Sequence, residues 1–247
     1  MVLLALTFLV WQVLRIPFEG STTESLAHAR DWLAAERDLG LDVEATLIRE
    51  VHEHEVLDRV ADLAYSNLHV PVAVGFLAAA RVRFPRRYPK LRTIFVLAHV
   101  PALVVLAAYP LAPPHWLASM PFSTGPESHE ADLRNATAAA VSLHFGYTVL
   151  IAGAALWLWP RAPLAWASLL YPPLIFVVIV GTGNHYTLDA LVGAACVGVA
   201  AAGARAIHGK SPPEESPEGS GRSAALVGLA AAGLGFVANG LFTGELR

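Results

Sequence analysis

The sequence has one cysteine and few charged residues, and both shortages narrow what the protein can be. Cys196 stands alone in a run of alanine, glycine and valine, so no disulfide can form within the chain. Charged residues make up 15% of the 247 residues and the formal net charge is -3, a balance that favours neither a nucleic acid nor an acidic partner. Hydrophobic residues make up 55% and the mean hydropathy is +0.51, whereas ordinary soluble domains are about 45 to 50% apolar. These values indicate a polytopic membrane protein.

Acidic residues are scarce where the chain is most apolar. Asp189 is the only carboxylate between Asp132 and Glu214, and it lies one helical turn after His185. An ionisable group in a membrane-length segment is costly unless it is paired or faces a polar cavity. A carboxylate at i+4 can hold a histidine in one tautomer and stabilise its cation, which suits the imidazole to act as a base or a nucleophile. A structural polar pair that ties helices together is the alternative interpretation.

Apolar runs of about 17 to 25 residues can cross the hydrocarbon core of a bilayer as helices. The first run lacks a basic start and a clear small-residue cleavage site, which favours a retained anchor over a signal peptide. The predicted fold is all-α, a polytopic transmembrane helix bundle of about six core spans with an extra C-terminal span. The runs lie at 1–18, 56–80, 93–112, 142–159, 163–182, 185–206 and 223–242.

The chain is predicted to form one membrane-embedded domain over residues 1–208, followed by two smaller parts. Within that domain, residues 24–50 mix leucine and tryptophan with many charges, which predicts external amphipathic helices on the bilayer surface. Residues 209–222 are rich in proline, glutamate, serine and glycine, a composition typical of a flexible linker. Residues 223–247 carry the extra helix and a short tail.

A basic loop sets the expected orientation in the membrane. Residues 81–92 contain six basic residues and no acid, so this loop is predicted to be cytoplasmic. Counting spans alternately from it places residues 113–134 outside, the linker inside, and Arg15 near the outer interface as an exception. The predicted location is the plasma membrane, with several spans and an extracytoplasmic site.

The same count brings two helix starts to one membrane face. The fourth and sixth predicted helices both begin on the external side, so Ser142 and His144 converge with His185 and Asp189. Helix N-termini expose unpaired N–H groups and favour anions. A phosphate group is therefore the predicted occupant of this site.

These residues resemble the type 2 phosphatidic acid phosphatase superfamily, in particular its branch related to inositol phosphorylceramide synthase, an inositolphosphotransferase. In that superfamily a Pro-Ser-(Gly or Leu)-His element precedes a His-x-x-x-Asp element, and here Ser142-Leu-His144 precedes His185-Tyr-Thr-Leu-Asp189. The resemblance covers most of residues 33–205. Further features of the branch are Glu36-Arg-Asp-Leu-Gly40, Tyr65-Ser-Asn-Leu-His69-Val-Pro71 and Tyr109-Pro-Leu-Ala-Pro-Pro114.

The resemblance implies a role for each matching residue. His185 would attack phosphorus to form a phosphohistidine, Asp189 would orient and charge His185, and His144 would protonate the leaving oxygen. Ser142 would hold a phosphate oxygen. This chemistry needs a nucleophile, an acid and donors for the equatorial oxygens, and neither a metal nor a cofactor is expected. The implied substrate is a phospholipid or a polyprenyl phosphate.

The chain departs from the family pattern mainly in its cations. Val141 stands where the family has proline, His115 follows Pro113-Pro114 where the branch often has arginine, and the superfamily's arginine before the last histidine is absent. Developing phosphoryl charge normally requires arginine or lysine. Arg134 is the nearest external candidate by sequence, and His115 can help only when it is protonated. Asn184 is a further predicted phosphate ligand.

Two further residues and a second histidine–aspartate element also have predicted positions. His69 either lines the external cavity or caps a helix, and Tyr186 is a candidate for the same cavity. A second His-x-x-x-Asp element, His54 to Asp58, is predicted to be a solvated helix face. A metal site is the alternative interpretation, but no complete ligand set accompanies this pair.

The sequence leaves three functions open. The leading one is an integral membrane enzyme that hydrolyses a lipid phosphate when water enters, or transfers a headgroup when an alcohol is positioned. A second is a catalytically weakened relative that binds phospholipid headgroups or scaffolds partners. A third is a transporter with a proton relay, which is disfavoured because His185 and Asp189 are predicted near one membrane surface rather than at the midplane.

Overall fold

The computed structural model describes residues 2–126, 137–209, 225–233 and 236. Within these residues the regular structure is helical, apart from one isolated bridge between Leu111 and Ala138. The predicted all-α class is confirmed. The helices are α1 Val2–Leu14, α2 Thr22–Leu39, α3 Glu44–His52, α4 Glu55–Leu63, α5 His69–Arg83, α6 Tyr88–Ala108, α7 Leu143–Leu158, α8 Pro163–Ala167, α9 Tyr171–Gly181 and α10 Thr187–His208.

Several helical segments are apolar over membrane-spanning lengths, as predicted. By length and composition, four described segments can cross a bilayer, and two shorter apolar helices accompany them. In the first, a π-helical turn, Ala64–Leu68, joins α4 to α5 without a break. The four are Glu55–Arg83, Tyr88–Ala108, Pro163–Gly181 and Thr187–His208, and the shorter two are Leu6–Phe18 and Leu143–Leu158.

The predicted C-terminal part is described only over residues 225–233 and 236. Residues 225–233 are helical and lie against α5, where a Cβ added to Gly75 would come 2.8 Å from the carbonyl oxygen of Gly228. The rest of the predicted linker and tail, beyond Gly209, lies outside the described residues.

Hydrogen bonds fix which helix ends lie together. Lys90 Nζ, near the start of α6, donates to the Gly209 oxygen at 3.3 Å, and Thr93 Oγ1 lies 2.8 Å from His208 Nε2. The start of α6 therefore meets the end of α10. His185 precedes the other end of this 22-residue helix, about 33 Å away at 1.5 Å per residue. The basic loop and His185 thus lie at opposite ends of the bundle.

Two glycines allow the starts of α7 and α10 to cross closely. A Cβ on Gly193 would collide with the backbone oxygen of Ser142, and a Cβ on Gly146 would lie 2.8 Å from the oxygen of Gly193. Small residues at helix crossings are typical of membrane bundles, because close backbone approach replaces the missing hydrophobic driving force. This crossing brings the first turns of both helices together.

Helices α2 and α3 occupy the segment 24–50, for which external amphipathic helices are expected. Helix α2 begins after Ser21, whose side chain accepts from Glu24 N, and it ends at Gly40 in the left-handed conformation. Helices α2 and α3 each pack one buried face into the protein. Helix α3 lies against the end of α9, where a Cβ on Gly181 would collide with Val51. The two helices therefore lie next to the turn that leads into α10.

Candidate active site

His185 lies in a tight turn between α9 and α10. Gly183 forms this turn with a φ of +70°, which favours glycine. His185 Nδ1 is 3.0 Å from Asp189 Oδ2, and the Tyr186 N–H donates to the same oxygen at 2.8 Å. A carboxylate oxygen only accepts, so Nδ1 carries the ring proton and Nε2 presents its lone pair. The predicted pairing of His185 with Asp189 is present and both residues are buried.

His144 meets this pair from the first turn of α7. Its ring centre lies 5.8 Å from that of His185, at an interplanar angle of 56°. Tyr65 stacks on His144 at 4.9 Å, and His69 lies 4.4 Å from it. The two motif histidines are therefore close enough to contact one phosphate group.

His69 belongs to this histidine group and does not cap a helix through its side chain. It is the first residue of α5, is buried, and stacks on Tyr147 at 5.0 Å. The hydroxyl oxygen of Tyr147 in turn lies 2.6 Å from His99 Nε2. An aromatic column thus supports His144 from the interior of the bundle.

Ser142 is the N-cap of α7. Its Oγ accepts from the N–H of Phe145 at 3.3 Å, its own N–H donates to the Asp189 backbone oxygen at 3.2 Å, and the residue is fully buried. The serine therefore links the starts of α7 and α10. Its predicted contact with a phosphate oxygen stays a prediction.

Three other predicted site residues form hydrogen bonds within the protein, namely Asn184, His115 and Tyr186. Asn184 Nδ2 donates to Thr182 Oγ1 at 2.9 Å. His115 Nδ1 donates to the Gly183 oxygen at 2.9 Å, so this ring braces the turn from outside. Tyr186 is predicted to line a cavity, but it is fully buried: its ring packs in an apolar cluster and its hydroxyl donates to the Ala112 oxygen.

A cation that the sequence interpretation left aside lies near His144. Arg15, which follows α1, is within electrostatic range of the His144 ring. Its predicted position near the outer interface, against the charge rule, is the sequence signal that could have identified it. Arg134, the predicted cation, lies outside the described residues.

A cavity of about 680 Å³ opens beside the histidines. Tyr65 connects it to His144, and Asn184 connects it to the turn that carries His185. Its walls combine apolar and polar side chains, which suits an amphipathic ligand. The lining residues are Asp62, Leu63, Tyr65, Ser66, Asn67, Asn184 and Phe236.

The second His-x-x-x-Asp element has a different geometry. His54 is exposed and its Nδ1 donates to the Glu50 backbone oxygen at 2.9 Å, while Asp58 lies 3.8 Å from His52 instead. The solvated face predicted for His54 is confirmed. The same sequence pattern therefore gives a buried hydrogen-bonded pair in one place and, in the other, two residues whose side chains are not paired with each other.

The comparison with known families decides the assignment. The PAP2 superfamily profile matches residues 30–203, more than half of the chain. The chain belongs to the PAP2 superfamily. No curated protein and no solved structure matches it. Membership supports an enzyme of the lipid phosphatase or phosphotransferase type, and the apolar helices indicate a membrane protein.

In this PAP2 protein the start of α10 differs from the sequence expectation. The exposed N–H groups predicted to bind phosphate are occupied by carboxylates, because Glu44 accepts from Thr187 N and Glu36 accepts from Leu188 N. Glu36 was noted in the sequence only as part of a family element, and Glu44 had no assigned role. A glutamate in an otherwise charged amphipathic helix gives no signal that its side chain is buried.

Proposed function

We propose that this PAP2 protein is a phosphotransferase or phosphatase that acts on a lipid-linked phosphate through a phosphohistidine on His185. One observation carries the proposal. The Nδ1–H group of His185 donates a hydrogen bond to Asp189, and the ring lies beside that of His144. A cavity large enough for a lipid headgroup lies next to the two histidines. Asp189 orients the ring and stabilises its positive charge while the Nε2 lone pair is available for attack.

The reaction takes two steps. In the first, His185 Nε2 forms a bond to phosphorus as the bond from phosphorus to the lipid oxygen breaks, and protonated His144 gives its proton to that oxygen. In the second, water or an alcohol attacks phosphorus, His144 takes the proton of the attacking hydroxyl, and the electron pair of the phosphorus–nitrogen bond returns to Nε2. Both histidines end in their starting states.

The arrangement of the helix ends supports an extracytoplasmic site. The basic loop follows α5, and the start of α6 lies with the end of α10, at the opposite end of α10 from His185. Basic loops remain on the cytoplasmic side. With that loop inside, His185 and His144 face the outer leaflet of the plasma membrane.

The cavity supports an alcohol as the acceptor. Asp62, Ser66 and Asn67 line it together with Asn184, and carboxylate and amide groups are suitable partners for hydroxyl groups. Transfer of an inositol-phosphate-type headgroup is the reaction we propose, with hydrolysis when water takes the place of the alcohol. The ratio of transferred headgroup to released phosphate, measured with and without added inositol lipid or glycolipid, separates these two reactions.

Trapping of the covalent intermediate tests the proposal. Purified protein is incubated with phosphorus-labelled phosphatidic acid, polyprenyl phosphate and phosphatidylinositol, and an acid-labile label on the protein is expected. His185→Ala should remove the label, and His144→Ala should slow both its formation and turnover. His54→Ala is the matched control, because His54 has the same sequence pattern without the buried pair. Undiminished label in His185→Ala would contradict the assignment.

One observation favours a second function, headgroup binding without turnover. Ser142 Oγ and the N–H groups at the start of α10 are already bonded to protein atoms, which reduces the donors left for phosphoryl oxygens. Saturable binding of labelled phosphatidic acid, with neither a trapped label nor a released product, would establish this function.

A further inference from the structure

Three consecutive N–H groups at the start of α10 are bonded to three different carboxylates. The Tyr186 N–H donates to Asp189 within the helix. The Thr187 N–H and hydroxyl donate to Glu44 Oε1 at 2.8 and 2.7 Å, and the Leu188 N–H donates to Glu36 Oε1 at 2.6 Å. Glu36 belongs to α2 and Glu44 to α3, so two helices outside the bundle hold the turn that follows His185.

Glu36 and Glu44 also face each other. Both side chains are fully buried, the Oε2 atom of each has no hydrogen-bond partner among the described residues, and the two carboxyl groups interact with each other. Two ionised carboxylates in that position would only repel each other, because neither has a proton to donate. A single proton between them turns this repulsion into a hydrogen bond. Glu36 then donates to Glu44, which keeps its negative charge for the two donors of Thr187.

We propose that Glu36 and Glu44 share one proton and act together as positioning residues, which fix the first turn of α10 so that His185 is aimed at His144. The proposal rests on the proposed function of His185 as the nucleophile. The pair touches neither the phosphate nor the histidines, and it acts through the backbone of Thr187 and Leu188. Asp189 lies one residue beyond, so the same turn sets the orientation of the His185 ring.

The charges at the helix start explain why one proton is needed. The N-terminal turn of a helix favours negative charge, and Glu44 and Asp189 already supply it where they accept from the Thr187 and Tyr186 N–H groups. A third buried charge on Glu36 would be repelled by both. Burial and these neighbours raise the pKa of Glu36 from its ordinary 4.5 to about 8.

The sign of the pH dependence follows from this shift. Glu36 binds its proton more tightly in the folded protein, so its contribution to stability is complete below pH 4.5 and is lost as the pH rises to about 8. Above that pH both carboxylates are ionised and repel each other. This repulsion weakens the hydrogen bonds that fix the first turn of α10. Glutamine at position 36 keeps the donor and the acceptor but cannot ionise.

Thermal unfolding tests the shared proton without any need for turnover. The melting temperature of the purified wild-type protein is expected to fall across that pH interval, and Glu36→Gln should flatten the fall. Glu24→Gln and Glu50→Gln, which change exposed acids on α2 and α3, should keep the wild-type slope. An equal slope in wild type and Glu36→Gln would overturn the shared proton.

Kinetics test the positioning role. With labelled phosphatidic acid, Glu36→Leu should lower kcat on the order of 100-fold with KM little changed, as expected when a reacting group is misplaced. Glu36→Gln should restore most of kcat at neutral pH, and the ratio of its kcat to the wild-type value should rise with pH above about 8. Wild-type kcat in a folded Glu36→Leu protein, or a ratio that does not change with pH, would overturn the role.

The two measurements separate this proposal from the proposed function. If the wild-type protein forms neither label nor product while Glu36→Gln removes the stability slope, the enzyme assignment fails and the shared proton stands. If the label forms and Glu36→Leu folds and turns over normally, the nucleophile stands and the positioning role fails.

Discussion

The first turns of α7 and α10 are two helix starts that meet at one site, yet they are held differently. At α10 three N–H groups are bonded to carboxylates, and at α7 the uncharged Ser142 Oγ accepts from Phe145 N. His185 is therefore fixed by charge, whereas His144 is held by stacking on Tyr65 and by a tilted ring contact with His69. A carboxylate beside a histidine stabilises its proton, so the turn without one suits the residue that must release a proton.

The largest expected effect comes from removing the Asp189 charge at the start of α10. Asp189→Asn replaces an acceptor of two N–H groups with an amide that can turn its own N–H toward His185 Nδ1. The ring proton then moves to Nε2 and the nucleophilic lone pair is lost, with an expected fall in kcat of about 10⁴-fold. The measurement is kcat with labelled phosphatidic acid, with Asp58→Asn as control. A fall of less than tenfold would argue against the Asp189 role.

The next effect comes from forcing the two starts apart. Gly193→Ala places a methyl group on the Ser142 backbone oxygen, and overpacking of this kind typically destabilises by about 1 to 3 kcal/mol. Both thermal stability and formation of the phosphohistidine label should decrease. Gly198→Ala on the same helix faces open space and should change neither. Equal stability of the two variants would show that the crossing is not close.

A smaller effect is expected from replacing Arg15, the cation within electrostatic range of His144 at the start of α7. Arg15→Gln removes a positive charge within electrostatic range of His144, where a cation can stabilise the developing phosphoryl charge, so kcat/KM is expected to fall on the order of tenfold, about 1.4 kcal/mol. Arg15→Lys should retain more activity, because the charge remains. Arg30→Gln, at an exposed position of α2, serves as control. If Arg15→Gln and Arg30→Gln behave alike, Arg15 has no part in the reaction.

The smallest effect should come from the serine cap. Ser142→Ala removes the acceptor for Phe145 N, which typically destabilises by about 1 kcal/mol. If Ser142 serves only as a cap, Ser21→Ala at the start of α2 should lower stability by a similar amount, and neither variant should change kcat more than a few-fold. A selective loss of kcat in Ser142→Ala would instead establish the contact with phosphate implied by the family motif.

The helices and the central pair were predictable because they depend on local patterns. Membrane-length apolar runs predict spans wherever they occur, and the i to i+4 spacing of His185 and Asp189 predicts contact on one helical turn. The same spacing was misleading by itself at His54 and Asp58, where it gives no pair. Burial distinguishes the two cases, and the apolar sequence around His185 already indicated it.

The sequence by itself determined the class of fold, the superfamily and the pairing of His185 with Asp189, because these follow from composition and short-range spacing. Only the tertiary structure decided which groups occupy the start of α10. Glu36 and Glu44 are far from Thr187 in sequence, and a hydrogen bond between distant segments depends on how α2 and α3 pack. The N–H groups expected to bind phosphate are bonded to protein carboxylates because folding buries those acids beside them.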